Sequence, residues 1–372
     1  MEDIQIQRVE GKKSLMDFIK LPWKIYGDDP HWVPPLIKER KDYFNSQKNP
    51  FYQHSQIQLF LALQNGRPVG RIAALVNHNH NRFHDEKTGF FGFFETYPQY
   101  SIAQKLLDQA RSWLKERGMK VMRGPMNFST NDQCGLLVEG FGFSPMIMMP
   151  YTPPYYPEYM EEYGLKKAKD LYAYLINHRQ QPPERIRKAA ERMKEKTCFH
   201  FRQVNLKRFK DEVKLIKEIY NQAWSKNWGF VPMTDEEFDH LAKGLKKLVA
   251  PELVLIAEVN GEPAGFSMAL PDYNQALKRI NGRLFPWGIF KLLWYAKRID
   301  AIRVLTTGVV HKYQKRGIDL IFYLETFDRG VKKGYKKGEL SWILEDNLLM
   351  NRALEDLGAK LYKRYRIYET KL

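Results

Sequence analysis

The stretch "HKYQKRGIDLI" (His311–Ile321) sets Gln314, Lys315, Arg316 and Gly317 between a strand end and an apolar helix that begins at Ile318. Backbone N–H groups exposed where a turn enters a helix form an anion site, glycine lets the backbone approach closely, and the helix dipole adds a favourable field. Such a loop suits a phosphate, with Lys315 and Arg316 supplying charge. Asp319 caps a first helical turn well but is poor company for a diphosphate. Further on, "EDN" (Glu345–Asn347) puts a carboxylate and an amide directly after the strand "LSWIL". "GPMNFSTNDQCG" (Gly124–Gly135) gathers Asn127, Ser129, Thr130, Asn131 and Asp132, and reads either as a ligand loop or as a surface turn. "NHNHNRFH" (Asn77–His84) offers three histidines with sparse carboxylate or cysteine support, so no metal site is expected.

The elements around these residues come from a chain of 372 residues, long enough for two cores. Apolar residues at 44% and aromatics at 14% exclude a disordered chain. Cys134 and Cys198 stand far apart with no CxxC spacing, which argues against a disulfide framework or a zinc site and for a reducing cytoplasm. The first residues, "MEDIQIQRVEG", alternate like a strand and lack the apolar stretch of a signal peptide. The longest apolar run, "LFPWGIFKLLWYA" (Leu284–Ala296), falls short of the roughly 20 residues that span a bilayer. Charge is unevenly spread: residues 1–180 hold 23 Lys and Arg against 19 Asp and Glu, and residues 181–372 hold 37 against 24. An anionic ligand or surface on the second half would account for that bias, and solvated helix faces account for part of it.

The chain repeats itself. "LFLALQNGRPVGRIAAL" (59–75) and "VLIAEVNGEPAGFSMAL" (254–270) share a strand, an Asn-Gly turn and a second strand at an offset of 195. "EEYGLKKAKDLYAYLI" (161–176) and "EDLGAKLYKRYRIYET" (355–370) match at an offset of 194, each read as a helix end closed by Gly and followed by a strand hairpin. The helices Ser101–Gly118 and Gly317–Gly334 match at 216, so each copy carries its own extra segment, near 274–297 in the second and 125–146 in the first. The division expected is 1–180, a charged linker helix over 181–196, and 197–372. Offset 216 sets "PQYSIA" (Pro98–Ala103) opposite "QKRGID", without a glycine or a cation. Only the second copy is therefore expected to bind a nucleotide.

Each copy reads as strand, helices, hairpin strands, strand, helix, strand, helix and terminal strands. This order, with the motif Q/RxxGxG/A matched at Gln314 and Gly317 and departed from at Asp319, resembles the GCN5-related N-acetyltransferase (GNAT) superfamily of acyl-CoA acyltransferases in two tandem copies. The resemblance implies an α/β (α+β) fold of two GNAT-like domains, each a mixed central sheet flanked by helices, the first degenerate. It implies acyl-CoA as co-substrate, acetyl or longer, and no metal. Backbone groups of Thr307, Gly308, Val309 and Val310 would pair with the pantetheine, and Gln314, Lys315, Arg316, Gly317, Ile318 and Asp319 would meet the phosphates. Asn347 resembles the family's Asn after this strand, and Glu345 stands as the base. The Tyr that many members use as an acid is replaced by Leu354, with Tyr368 as a substitute. Asn127, Ser129, Asn131 and Asp132 are the expected acceptor contacts.

The segment 276–300 mixes Phe285, Trp287, Phe290, Trp294 and Tyr295 with Lys278, Arg279, Arg283, Lys291, Lys297 and Arg298. It fits either an interfacial helix on anionic lipid or a helix buried against protein. "MMPYTPPYYPEY" (Met148–Tyr159) reads as a crossing loop or a pocket wall. The function expected is transfer of an acyl group, long chains included, from acyl-CoA to a small-molecule or lipid-like amine, by a cytoplasmic protein that can lie at a membrane surface. Tandem GNAT-fold N-myristoyltransferases and aminoacyl-tRNA-dependent Fem-type transferases show that the arrangement suits bulky substrates; the chain is also similar to bacterial GNAT-like proteins, some linked to sphingolipid N-acylation. The rival from another class is a non-catalytic protein that binds acyl-CoA, anionic lipid or nucleic acid. Nucleic acid ranks lower because the cations are scattered over several helices and no known module is visible.

Overall fold

The computed structural model describes residues 4–196 and 199–372; Cys198 lies outside the described residues. The first half runs β1 (Ile4–Arg8), α1 (Gly11–Ile25), α2 (Ile37–Tyr43), β2 (Ser55–Gln64), β3 (Arg67–Asn77), α3 (His78–His84), β4 (Thr88–Thr96), α4 (Tyr100–Lys115) and β5 (Val121–Gly124). It continues through β6 (Met126–Asn127), β7 (Gln133–Cys134), β8 (Leu136–Glu139), α5 (Tyr156–Glu162) and β9 (Lys166–Asn177). Helix α6 (Glu184–Lys196) leads into β10 (Phe199–Gln203), α7 (Phe209–Trp224), α8 (Asp235–Leu245), β11 (Val254–Val259), β12 (Glu262–Pro271), α9 (Asn274–Leu277) and α10 (Gly288–Ala296). Last come β13 (Ala301–Val309), α11 (Ile318–Lys332), β14 (Lys337–Leu344), α12 (Leu348–Asp356) and β15 (Lys360–Lys371).

The repeat is physical. Both Asn-Gly turns have positive φ at both residues, 51° and 72° at Asn65 and Gly66 and 51° and 79° at Asn260 and Gly261, the twist that tight hairpins require. Each hairpin has its bulge at the same place, between Ala62 and Leu63 and between Ala257 and Glu258, again 195 residues apart. Gly164 and Gly358 close α5 and α12 in the left-handed region, at φ 88° and 90°. The terminal hairpins are not formed: β9 and β15 are single strands of 12 residues, because neither segment contains a turn-forming residue to interrupt its alternation.

The compact units are discontinuous in sequence. One comprises 1–170, 276–293 and 364–372; the other comprises 171–275 and 294–363. They differ from a linear division at 181–196 for a structural reason: each half sends its last strand to complete the other's sheet. In the first unit β15 pairs antiparallel with β5, Tyr368 opposite Gly124 and Lys371 opposite Val121. In the second, β9 pairs antiparallel with β14, Asn177 opposite Lys337 and Leu171 opposite Leu344. The segment 276–293 also docks in the first unit, where Trp23 Nε1 donates to Asn281 Oδ1 at 2.8 Å and Ile37 N donates to Gly282 O at 3.1 Å.

The first unit's core is built from alternating strand residues such as Phe60, Ile72 and Phe91, the Leu106 and Trp113 face of α4, and Tyr156. In the second unit, Ile302, Val304 and Leu340 pack with Ile321 of α11 and Leu354 of α12, while Leu255, Phe266 and Ile219 form a separate cluster with Ile318 and Phe322.

Candidate active site

In the second unit, β13 and β14 run parallel and pair from Ala301–Lys337 to Val304–Leu340. Beyond that rung they separate. Residues Thr306–Val309 pair only with β12, and Ile343 and Leu344 only with β9, leaving a gap between two strands that point the same way. A bulge in β13 between Val304 and Thr306 turns the strand where the gap opens. Gly308 sits against α7: a Cβ there would lie 2.1 Å from Trp224 Cη2.

The loop "HKYQKRGID" stands at the upper end of β13. Gln314 turns back so that its Nε2 donates to Val309 O at 3.0 Å, and Val310 N donates to Ala264 O at 2.9 Å. Lys315 and Gly317 have φ of 61° and 80°, and Gly317 is the N-cap of α11 with no side chain capping the helix. The first N–H groups of this 15-residue helix therefore have no capping side chain, and Gln314, Lys315, Arg316 and Asp319 around them are exposed. Arg316 lies over the Tyr313 ring at 5.4 Å. Helix α6 packs along α11 through Arg187 to both carboxylate oxygens of Asp328 at 2.9 Å and Lys194 to Glu325 at 2.7 Å. It brings Met193 against the loop, its Sδ 2.1 Å from where a Cβ on Gly317 would be.

Glu345 is half-buried at the end of β14, and Asn347 caps α12, its Oδ1 accepting from Met350 N at 3.3 Å. Behind them Asn351 donates to the carbonyls of Leu344 and Glu345 at 3.1 and 3.2 Å and so fixes the strand end. The structure thus gathers Val309, Val310, the loop Gln314–Asp319, Glu345 and Asn347 within one unit. Tyr368 belongs to the other unit, fully buried in its core, with its hydroxyl donating to Glu161 at 3.3 Å and its phenol held well above the usual range by burial.

Sequence reasoning missed a buried polar group directly beneath the gap. Arg303 of β13 donates from Nε to Ser341 Oγ at 2.7 Å and from Nη2 to Ser341 O at 3.1 Å, and approaches Glu339 at 3.5 Å. Glu339 also accepts from Ser341 and from the Tyr362 hydroxyl. Lys363 is buried near it, and burial lowers its ammonium below the usual Lys range. The network ties β13, β14 and the start of β15 together just below where β13 and β14 part. The available signal was a charge inside each of three otherwise apolar strands, "IRVLTT", "GELSWIL" and "LYKRY".

The first unit has the same strand separation, already filled. β4 and β5 pair only from Thr88–Val121 to Phe90–Arg123, and the extra segment folds back as the β6–β7 hairpin. Asn127 Oδ1 accepts from Phe93 N at 2.7 Å, and Tyr43 donates to Asn127 O at 2.5 Å. Phe128 is buried and stacks on Tyr43 at 4.8 Å. Ser129, Asn131 and Asp132 form a local turn, Asp132 N donating to Ser129 O at 3.1 Å and Asn131 N to Ser129 Oγ at 3.1 Å. The three histidines of α3 do not assemble into a metal cluster: no group of three or more His, Cys, Asp or Glu side chains fit to hold a metal occurs among the described residues.

No family model matches the chain. It is 37% identical over 377 residues to the bacterial ceramide synthase of Caulobacter vibrioides (strain NA1000 / CB15N), covering 100% of this chain and 98% of that protein. The chain belongs to the bacterial ceramide synthase family. A second relative, YghO of Escherichia coli (strain K12), is 36% identical over 369 residues, 97% of this chain and 94% of that one. The family's fold here is the tandem GNAT fold. A tandem GNAT protein from the clavulanic acid biosynthesis pathway superposes with a TM-score of 0.58 at 10% identity, covering 99% and 98% of the two chains. A GCN5-related N-acetyltransferase from Sphaerobacter thermophilus gives 0.53 at 14%, covering 99% and 95%. This ceramide synthase family member is an acyltransferase. Among its described residues no helix is long and apolar enough to cross a membrane.

Proposed function

We propose that the protein transfers an acyl group from acyl-CoA to the nitrogen of a lipid-like amine, with coenzyme A held by the second unit. The observation that carries the reading is the gap between β13 and β14, closed at its upper end by the uncapped N-terminus of α11. A pantetheine arm lies in that gap along Thr306–Val309, and the diphosphate meets the backbone N–H groups that follow Gly317. Lys315 and Arg316 supply the countercharge. In the first unit the equivalent gap is filled by Met126–Phe128, which supports one coenzyme A per chain.

The amine nitrogen attacks the thioester carbonyl; a C–N bond forms and the C–S bond breaks. Glu345 takes the proton that the nitrogen sheds, and coenzyme A leaves as a thiolate that is protonated from solvent. The full-length relative is a synthase of ceramide, an amide of a long-chain amino alcohol, which supports an acceptor of that class. The exposed apolar insert supports a protein working at a lipid surface. Phe285, Trp287 and Phe290 are 83%, 69% and 64% exposed, and Leu293 and Trp294 follow on the same segment with Lys291 and Arg298 beside them. A helix buried against protein would hide these side chains, so the interfacial reading is the favoured one.

Calorimetry with acetyl-CoA and palmitoyl-CoA, followed by mass spectrometry of a mixture of palmitoyl-CoA and a long-chain amino alcohol, tests the reading. Binding and an N-acylated product are expected. Absence of heat from either thioester would remove coenzyme A from the account.

A further inference from the structure

Beneath the gap lies a cavity that none of the residues discussed above explains. It has about 590 Å³ of unfilled space, within the size range of ligand pockets, and its walls are almost wholly apolar. Its inner end is formed by Val304, Leu340 and Tyr323, all buried. Val304 and Leu340 are the last paired rung before β13 and β14 part, and Tyr323 is hydrogen-bonded to Thr307, which stands in the gap itself. The cavity then follows the underside of α11 past Thr326 and Gly330, with Leu354 of α12 on its wall. It opens at the other end of β14, where Lys336 and Lys337 are exposed and His178 is half-buried.

Two details separate it from an ordinary packing defect. Two glycines line it where larger residues would narrow it: a Cβ on Gly330 would lie 3.1 Å from Ile302 Cδ1, and one on Gly338 3.2 Å from Ile176 Cγ2. The Thr326 hydroxyl, on a residue that is only 2% exposed, finds no hydrogen-bond partner in the wall. A buried hydroxyl left unmade is costly, and an empty apolar cavity of this kind costs stability too.

We infer that this cavity takes the hydrocarbon chain of the acyl donor. The chain leaves the thioester in the gap, passes Tyr323 at the Val304–Leu340 rung, and runs under α11 toward the Lys336 and Lys337 mouth. The inference rests on the coenzyme A reading above. It makes Thr326 and Gly330 the residues that set chain length, because side chains enlarged there occupy the channel without touching the phosphate loop. The Thr326 hydroxyl stays wet until the chain arrives, and the water it holds is released on binding.

The test compares acetyl-CoA and palmitoyl-CoA binding by wild type, Thr326→Leu and Gly330→Val, with thermal unfolding as the check on folding. Palmitoyl-CoA is expected to bind wild type at least about tenfold more tightly than acetyl-CoA, and each variant is expected to lose that advantage while keeping its acetyl-CoA affinity. Retained palmitoyl preference in folded variants overturns the channel while leaving the coenzyme A site in place. Failure of wild type to bind either thioester overturns both readings. A second measurement needs no variant: palmitoyl-CoA with a diazirine at its terminal carbon is photolysed on the wild-type protein and the labelled peptide is sequenced. Labelling within 326–340 is expected, and labelling of 285–294 instead puts the chain on the exposed insert and ends the proposal.

Discussion

Gly92 of β4 lies so close to Met126 that a Cβ on it would be 1.8 Å from the Met126 carbonyl oxygen. This contact is the seal by which the first unit's own chain fills the separation between β4 and β5. Gly92→Ala must push the β6–β7 hairpin out or bend β4, and the obstacle is backbone, not a flexible side-chain end. The expected cost is about 2–3 kcal/mol of stability, read as an earlier unfolding midpoint in urea. Acyl-CoA binding by the folded variant should remain at one equivalent per chain. A second equivalent would mean that the first unit holds a latent site.

Gly317 and Met193 make a contrasting pair, since here the close neighbour is the end of a flexible side chain. Gly317→Ala meets two obstacles, the φ of 80° and the Met193 sulfur. The positive φ alone costs about 1–2 kcal/mol for a residue with a Cβ. Acyl-CoA affinity should fall about tenfold as the loop distorts. Adding Met193→Ala should restore the part due to the clash and leave the part due to φ, a split that calorimetry on the two variants resolves. Full restoration would show that φ at this position is unimportant.

Glu345→Gln removes the carboxylate while keeping the shape of the strand end. With Glu345 as the base, turnover should fall about 10²- to 10⁴-fold, with little change in acyl-CoA affinity. Asn351→Leu is expected to act differently, because Asn351 fixes the carbonyls of Leu344 and Glu345 and does not face a reacting atom. It should lower turnover less and also lower the unfolding midpoint. Equal activity in Glu345→Gln and wild type would move the base elsewhere.

The duplication was legible in the sequence because Asn-Gly turns and Gly-closed helices are local signals whose chemistry is tied to φ, as at Asn65, Gly66, Asn260, Gly261, Gly164 and Gly358. The phosphate loop was legible for the same reason. The exchange of β9 and β15 was not, because an alternating strand such as "KKAKDLYAYLIN" carries no mark of which neighbour it will pair with. The polar segment Asn127–Asp132 looked like a ligand loop because side-chain type alone does not say whether an amide meets a ligand or a backbone N–H; Asn127 meets Phe93. The buried Arg303–Glu339 pair could have been found, since a charge in an apolar strand must have a partner.

The insert should bind vesicles without contributing to stability. Phe285, Trp287 and Phe290 are exposed, so replacing all three by Ser removes surface that folding did not bury. Thermal unfolding should be unchanged within error. Flotation with vesicles containing anionic lipid should fall sharply, and the remaining binding should weaken as salt rises, because Lys291, Lys297 and Arg298 still attract the surface. Undiminished flotation of the triple variant would assign membrane contact to another face.

His80 gives the first unit an acid limit. Its ring is buried against Phe90 and His84, with Glu86 at 3.4 Å and Arg123 close by, and burial is the main reason its pKa is lowered to about 4. The unfolded chain binds a proton near the ordinary His value of about 6.5 and the folded chain does so only near 4, so the stabilising contribution is complete above 6.5 and is lost as pH falls toward 4. The loss is on the order of 2 kcal/mol. Glu86 adds to it with the same sign, because its hydrogen bond from Thr88 and the charge of Arg123 outweigh desolvation and hold its carboxyl below the usual range. His80→Gln, which cannot take up a proton, should flatten the fall in urea midpoint between pH 6.5 and 4.5 while starting from a lower midpoint at pH 7. Parallel curves for the variant and wild type would assign the acid sensitivity to other groups.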